Sequence, residues 1–256
     1  MTVKDVINYI EDAAPRSLAE DWDNPGLAVG DENSTVTKVL TALDCDLTVV
    51  KEAIEKGCNM VVCHHPLIFR PLSFVTNENS VGSIVLLAAQ SGVSIYSAHT
   101  NLDCAKGGTN DFLCDLLEIE NKTVCEEIGG GNLVRTGEIS PYTFEEFAKK
   151  IALKLGKKYI RCVGDKNKII RTVGVCTGGG GEYIIEMAEK CDLFITGDVK
   201  YHAARAAAES GLCIAVGEHF ETECFAAEIL KNILSAKGVK ALCSEVNKDV
   251  FYDVFA

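Results

Sequence analysis

The stretch Asn59-Met-Val-Val-Cys-His-His-Pro-Leu-Ile-Phe69 decides how the rest of the chain is read. Its first five residues are an apolar, partly β-branched run after a helix that closes at Gly57, the pattern of a short buried strand. His64 and His65 stand where that strand runs out, and Pro66 stops it, because proline lacks the N–H that a sheet ladder needs. In a continuing strand, adjacent side chains face opposite ways. At a strand end broken by proline, the backbone can turn both imidazoles into one cleft. The carboxyl ends of parallel strands are also where α/β proteins place ligands.

Outward from this stretch, helix and strand patterns alternate. Val3, Val6, Ile7 and Ile10 trace one face of a helix closed before Pro15. Residues 20–30 read as a loop carrying the sole tryptophan, Trp22, expected as an edge-of-core or subunit-interface aromatic. Strand 36–43 and helix 47–56 precede the histidine strand; helix 81–90, strand 93–97 and helix 109–117 follow it. After the glycines at 129–131, Thr143-Phe-Glu-Glu146 is a capping box opening a helix to about residue 155. Strands 159–163 and 169–176 lead to the glycine run 178–181. A helix to residue 190, strand 193–196, helix 203–210, strand 212–216, helix 221–236 and closing strands near 240–244 and 250–254 complete the pattern. It predicts an α/β fold with a largely parallel sheet.

The sequence also repeats itself. Residues 53–65 echo 187–198, and residues 90–99 echo 209–219, each half giving helix, strand, motif and again helix, strand, motif. Two similar α/β halves are expected, residues 1–125 and 126–256, with the closing segments free to pack back on the first half.

Composition bounds the function. The 256 residues are 47% apolar with a mean hydropathy of +0.12, which fits a compact folded protein. The net charge of -12 and the absence of a basic stripe argue against a nucleic-acid partner. No apolar stretch approaches the length of a membrane span and the first residues lack a signal-peptide layout, so cytoplasm is the expected compartment and no membrane partner is expected. The twelve cysteines include no Cys-x-x-Cys pair and mostly sit in apolar runs, so they read as reduced, buried thiols outside the ligand set.

The five histidines carry the chemical signal: His64 and His65 end one strand, His99 another and His219 a fourth, while His202 follows the third. Asp103 follows His99 in His-Thr-Asn-Leu-Asp, and Glu223 follows His219 at i, i+4 in His-Phe-Glu-Thr-Glu. Imidazoles with carboxylates suit divalent Zn, Fe or Mn, and a carboxylate can bridge two ions. Asp198, in Thr196-Gly-Asp198, and His202 could orient ligands from behind. Competing readings exist. Asp103 can be a turn carboxylate, Glu223 a first-turn glutamate complementing a helix dipole, and the 178–181 glycines either an anion cradle or a tight side-chain-free turn.

His64-His65-Pro66-Leu67, His99-Thr-Asn-Leu-Asp103, Thr196-Gly-Asp198 with His202, Gly217-Glu-His219-Phe-Glu-Thr-Glu223 and Trp22-Asp-Asn-Pro-Gly-Leu-Ala-Val-Gly30 together resemble the NIF-three-like family, often called GTP cyclohydrolase 1 type 2 homologues. The resemblance runs in order over nearly the whole chain, in the short form without an inserted middle domain. It implies two interlocked α/β halves, a dinuclear site of two divalent metal ions per chain, and a toroidal homohexamer. By motif, the implied metal ligands are His64, His65, Asp103, His219 and Glu223, with His99, His202 and Asp198 as candidate acid–base groups. Glu218 departs from the pattern, which usually has a small residue or none between glycine and histidine, and so bears on the local backbone. The implied chemistry is metal-dependent hydrolysis of a nucleotide-like or phosphorylated small molecule; the alternative is a non-catalytic metal-binding or interaction protein.

Overall fold

The computed structural model describes residues 1–128 and 132–254, so the glycines at 129–131 lie outside the described residues. The elements are α1 (Val3–Ala13), β1 (Gly26–Val29), β2 (Val39–Ala42), α2 (Leu47–Glu55), β3 (Met60–Cys63), α3 (Ser80–Gln90), β4 (Ser94–Ser97), α4 (Thr100–Cys104), α5 (Thr109–Leu116), β5 (Glu120–Val124), β6 (Arg135–Thr143) and α6 (Phe144–Lys154). Then follow β7 (Arg161–Val163), β8 (Ile169–Cys176), α7 (Ile184–Met187), β9 (Leu193–Thr196), α8 (Tyr201–Ser210), β10 (Cys213–Val216), α9 (His219–Glu223), α10 (Ala226–Ala236) and β11 (Ala241–Cys243). Two compact units result, Met1–Ala105 with Cys224–Ala256, and Lys106–Glu223.

The boundary therefore falls at residues 105/106, not 125/126, because α5 packs on β5, β6 and β8 of the second sheet. Residues 224–256 return to the first unit. There α10 lies against α1 and β2, and β11 extends the first sheet parallel to β2. The nearly buried Glu52 of α2 anchors this return, accepting from the Ser244 hydroxyl at 2.5 Å and the Glu245 N–H at 2.9 Å.

The first sheet runs β1-β4-β3-β2-β11, parallel except for the edge pair β1–β4. Leu40, Val61 and Ile95 on its strands meet Val49, Val50 and Ala53 of α2 and Ile84 and Ala88 of α3 in a fully apolar layer. The second sheet runs β5-β6-β8-β9-β10-β7, with a parallel centre β8-β9-β10 flanked by antiparallel strands. The repeat seen in the sequence is topological: β2-β3-β4 and β8-β9-β10 are three-stranded parallel runs in the same order. In each, the echoed strands pair in matching register, Met60 with Ser94 and Leu193 with Cys213.

Three expectations differ. The 221–236 helix is broken into α9 and α10, and α7 ends at Met187 rather than 190. Residues 250–254 form no strand; Val250, Phe251, Tyr252 and Val254 stand 82–86% exposed. Among the described residues, no helix is long and apolar enough to cross a membrane.

Candidate metal centre

In the first unit the strand end behaves as proline requires. The Leu43 carbonyl accepts both the His64 N–H at 3.1 Å and the His65 N–H at 2.9 Å, so the backbone bends there instead of continuing the ladder. Both rings consequently turn to the same side, 5.2 Å apart. β4 delivers His99 immediately after its last residues, with ring centroids 5.1 Å from His64 and 5.6 Å from His65. A ring nitrogen from each of the three lies within 4.8 Å of the others. Asp103, one turn on from His99 in α4 and nearly fully buried, brings a carboxylate oxygen to 3.4 Å from His64 Nε2.

The proton positions follow from the partners. His64 Nδ1 lies 2.8 Å from the Ala98 carbonyl, His65 Nδ1 2.8 Å from Asp44 Oδ1, and His99 Nδ1 2.8 Å from Asp23 Oδ1. An oxygen acceptor at Nδ1 holds the proton there and leaves Nε2 as the electron-pair donor, the arrangement that orients a metal-ligating imidazole. Three imidazoles so prepared, beside a buried carboxylate, form a borderline donor set that fits Zn, Fe or Mn.

Asp44 and Asp23 are the residues that sequence reasoning missed. The signal was available, since both are acidic residues next to a strand end or inside the Trp22 motif. Asp44 is itself set by Asn247, whose side-chain oxygen accepts the Leu43 N–H at 2.7 Å and the Asp44 N–H at 3.1 Å. Asp23 Oδ2 also accepts the Thr100 N–H at 3.0 Å and the Thr100 hydroxyl at 2.5 Å. Burial alone would raise the Asp23 carboxyl, but the His99 and Thr100 hydrogen bonds together outweigh it and hold its pKa at about 2. Trp22 is 53% exposed, tilted against Phe69 and edge-on to His99, each at 6.1 Å.

The second unit carries the complementary set. His219 opens α9, its Nδ1 2.6 Å from Asp198 Oδ2 and its Nε2 3.0 Å from Glu223 Oε2. Asp198 thus does for His219 what Asp23 does for His99, and the His-x-x-x-carboxylate spacing of His99–Asp103 recurs in His219–Glu223. The Glu223 hydrogen bond raises His219 against the opposing effect of burial, and with Asp198 holds its pKa at about 9. His202 is not brought into this chain of contacts: it is exposed in the first turn of α8, edge-on to Tyr201 at 5.7 Å.

Gly178, the first glycine of the run, makes a tight turn. Gly178 sits at a φ of +59° with its N–H donated to the Thr222 hydroxyl, and its carbonyl accepts from Gly197 and Asp198. A Cβ on Gly178 would meet Glu223 Oε1 at 1.9 Å. Glu218 adopts a φ of +65°, rare for a side chain bearing a Cβ, and its carboxylate is gripped by Arg161 at 3.2 Å. Among the described residues no cysteine joins a ligand group. Burial pushes Cys114 and Cys191 up to about 12 and Cys162 up to about 11, so these thiols stay protonated.

The His219 value sets a pH dependence. Because its pKa is raised above 6.5, the stabilisation from its carboxylate contacts is complete below about pH 6.5 and is lost as pH rises through about 9. A divalent ion needs the neutral ring, so uptake at His219 below pH 9 expels a proton. Zinc affinity is expected to climb between pH 6 and 9, and calorimetry in buffers of different ionisation enthalpy should read the released proton. A binding enthalpy independent of buffer would count against this role.

Comparison with known proteins agrees with the architecture. The chain is 38% identical over 231 residues to the GTP cyclohydrolase 1 type 2 homolog of Clostridium perfringens, covering 87% of each chain. It is 36% identical over 231 residues to the protein of the same name from Clostridium acetobutylicum, covering 87% of this chain and 85% of the other. The crystal structure of Staphylococcus aureus hypothetical protein SA1388 superposes with a TM-score of 0.89 at 30% identity, covering 99% of both chains. Residues 1–250 match the Duf34/NIF3 (NGG1p interacting factor 3) family, and the chain belongs to that family.

Proposed function

We propose that this protein binds two divalent metal ions per chain and is a metal-dependent hydrolase of a nucleotide-like or phosphorylated small molecule. The observation that carries the reading is the shared preparation of His64, His65 and His99, each with Nδ1 held by an oxygen so that Nε2 is the donor. His219, with Nδ1 held by Asp198, supplies a fourth imidazole once its Nε2 proton is displaced. The residues that would hold them are His64, His65, Asp103, His219 and Glu223. When bound, paired ions lower the pKa of a shared water and polarise the attacked centre. Around them the chain's own groups have defined tasks: Asp44, Asp23 and Asp198 orient imidazoles, His99 turns the electron pair of Nε2 toward His64 and His65 as a further donor, and the exposed Trp22 and Phe69 rings flank it. The substrate class follows the relatives from Clostridium perfringens and Clostridium acetobutylicum, each named GTP cyclohydrolase 1 type 2 homolog.

Elemental analysis of protein purified without chelator tests this. About two divalent ions per chain are expected, falling to one or none in His64→Ala and Glu223→Gln variants that still melt cooperatively. A wild-type chain that takes up no Zn, Mn or Fe on reconstitution would overturn the proposal.

A further inference from the structure

Between α1 and β1 the first unit encloses a cavity of about 540 Å³ that none of the proposed metal ligands lines. Its charged lining is Lys4, Glu11, Arg16 and Glu32. Lys4 and Glu32 neutralise each other, Nζ standing 2.8 Å from Oε2. Glu11 Oε1 accepts the hydroxyl of the buried Tyr96 at 3.2 Å. Arg16 differs. It sits in the short 3-10 turn Arg16–Leu18, and among the described residues its side chain has no ion pair and no hydrogen bond. The lining as a whole is neutral, so the cavity holds no bulk excess of positive charge. What it holds is a guanidinium whose N–H donors have no protein acceptor.

A glycine, not a carboxylate, seats this guanidinium. A Cβ on Gly26, the first residue of β1, would stand 3.1 Å from Arg16 Cζ and 3.2 and 3.3 Å from its two terminal nitrogens. Three nearly equal distances mean that the guanidinium lies flat over the place a side chain would take. Its N–H groups lie in that same plane, so they point across the glycine and none is spent on it. Gly26 has a φ of +132°, a backbone conformation that also favours glycine there. Other polar groups face the same space. The Asn8 amide, on α1, has no hydrogen bond among the described residues. Gly26, Leu27 and Ala28 all line the cavity, and because successive strand residues face opposite ways, three in a row place it along the edge of β1. That edge is open, since β1 pairs only with β4. A few convergent polar groups around several hundred Å³ are the makings of a small-molecule site.

We propose that this cavity binds a small molecule through an oxoanion group, a carboxylate or a phosphate, held by the Arg16 fork. Two parallel N–H···O bonds from a planar guanidinium match either group, which a lysine in the same place could not do. The rest of the ligand lies along β1, its own donors and acceptors met by the strand edge and by Asn8. The site is separate from the proposed metal centre, and its occupation requires no metal.

Arginine-selective labelling with phenylglyoxal, read by peptide mass spectrometry, tests this on the full chain stripped of metal by chelator. Arg70 is the internal control, exposed like Arg16 and outside the cavity. Inorganic phosphate and acetate, added separately at constant ionic strength, show which oxoanion the fork takes. The preferred one is expected to slow labelling of Arg16 about tenfold at roughly ten times its Kd, and to leave Arg70 unchanged. Calorimetry with the same probe should give equal affinity for the wild type and His64→Ala. Arg16→Lys keeps the charge but loses the fork, and should bind about tenfold more weakly with an unchanged melting temperature, since Arg16 is exposed. Arg16 labelling that neither probe slows, or equal protection of Arg70, would overturn the site. So would phosphate binding that His64→Ala abolishes and Arg16→Lys leaves intact, because the anion would then sit at the proposed metal centre.

Discussion

Replacing Gly178 with alanine is expected to empty the proposed metal centre and to lower stability by about 2–4 kcal/mol, although the change adds one methyl group far from any predicted ligand in sequence. Two costs combine. A Cβ at a φ of +59° is disfavoured by roughly 1–2 kcal/mol. The same Cβ would stand 1.9 Å from Glu223 Oε1, and Glu223 is 4% exposed, so the carboxylate has no open space to move into. Displacing it also breaks the 3.0 Å contact with His219 Nε2. The melting temperature should fall by about 5–15 °C, and bound metal should fall with it. Gly179 is the internal control, since a Cβ there meets nothing within 4 Å and Gly179→Ala should be neutral. A double-mutant cycle with Glu223→Ala separates the two costs, because removing the carboxylate leaves only the backbone penalty. If Gly178→Ala binds metal and melts like Gly179→Ala, the turn does not position Glu223.

Much of this architecture was legible because its signals are local. Residues 60–63 and 94–97 are short apolar runs bounded by glycine or proline, and their strands appear as read. Thr143 and Glu146 form the capping box that their spacing announces. The histidines at strand ends were likewise visible, since chain order alone places them at carboxyl termini of parallel strands. What escaped depends on tertiary context. β5, Glu-Asn-Lys-Thr-Val, is polar on both faces and has no alternation to detect. β6 contains Gly137 and Pro141, and its register with β8 shifts between Glu138 and Tyr142, so its sequence looks like a loop. The 250–254 run illustrates the converse: strand-like composition makes a strand only where the segment meets a partner edge, and residues 250–254 pair with none of the described strands. In the site, imidazoles identify themselves by residue type, whereas Asp23 lies 76 positions from His99 and only the fold shows that they touch.

That separation makes Asp23 the sharpest test of how the imidazoles are prepared. Asp23→Asn is nearly isosteric, and its amide oxygen can still accept from the Thr100 N–H and hydroxyl. Its amide nitrogen, however, is a donor, and facing His99 it requires Nδ1 to become the acceptor. The ring proton then moves to Nε2, which loses its electron pair as a donor toward the His64–His65 cluster. Metal affinity should drop about 10–100-fold while the fold is kept. Asp23→Ala should instead destabilise by about 3 kcal/mol, because the side chain is fully buried and its removal strands the Thr100 N–H without an acceptor. The sole tryptophan gives the readout, since Trp22 stands edge-on to His99 and its emission reports Co or Ni binding there. The pH profile separates carboxylate from amide. Asp23 has its pKa lowered from 3.8 to about 2, so its ionised form contributes up to about 2 kcal/mol above pH 4, lost as pH falls through 2. The stability gap between wild type and Asp23→Asn should therefore close as pH is lowered from 5 toward 2. An asparagine variant that binds metal as tightly as the wild type would mean that His99 needs no fixed tautomer, and Asp23 would be left with a structural role alone.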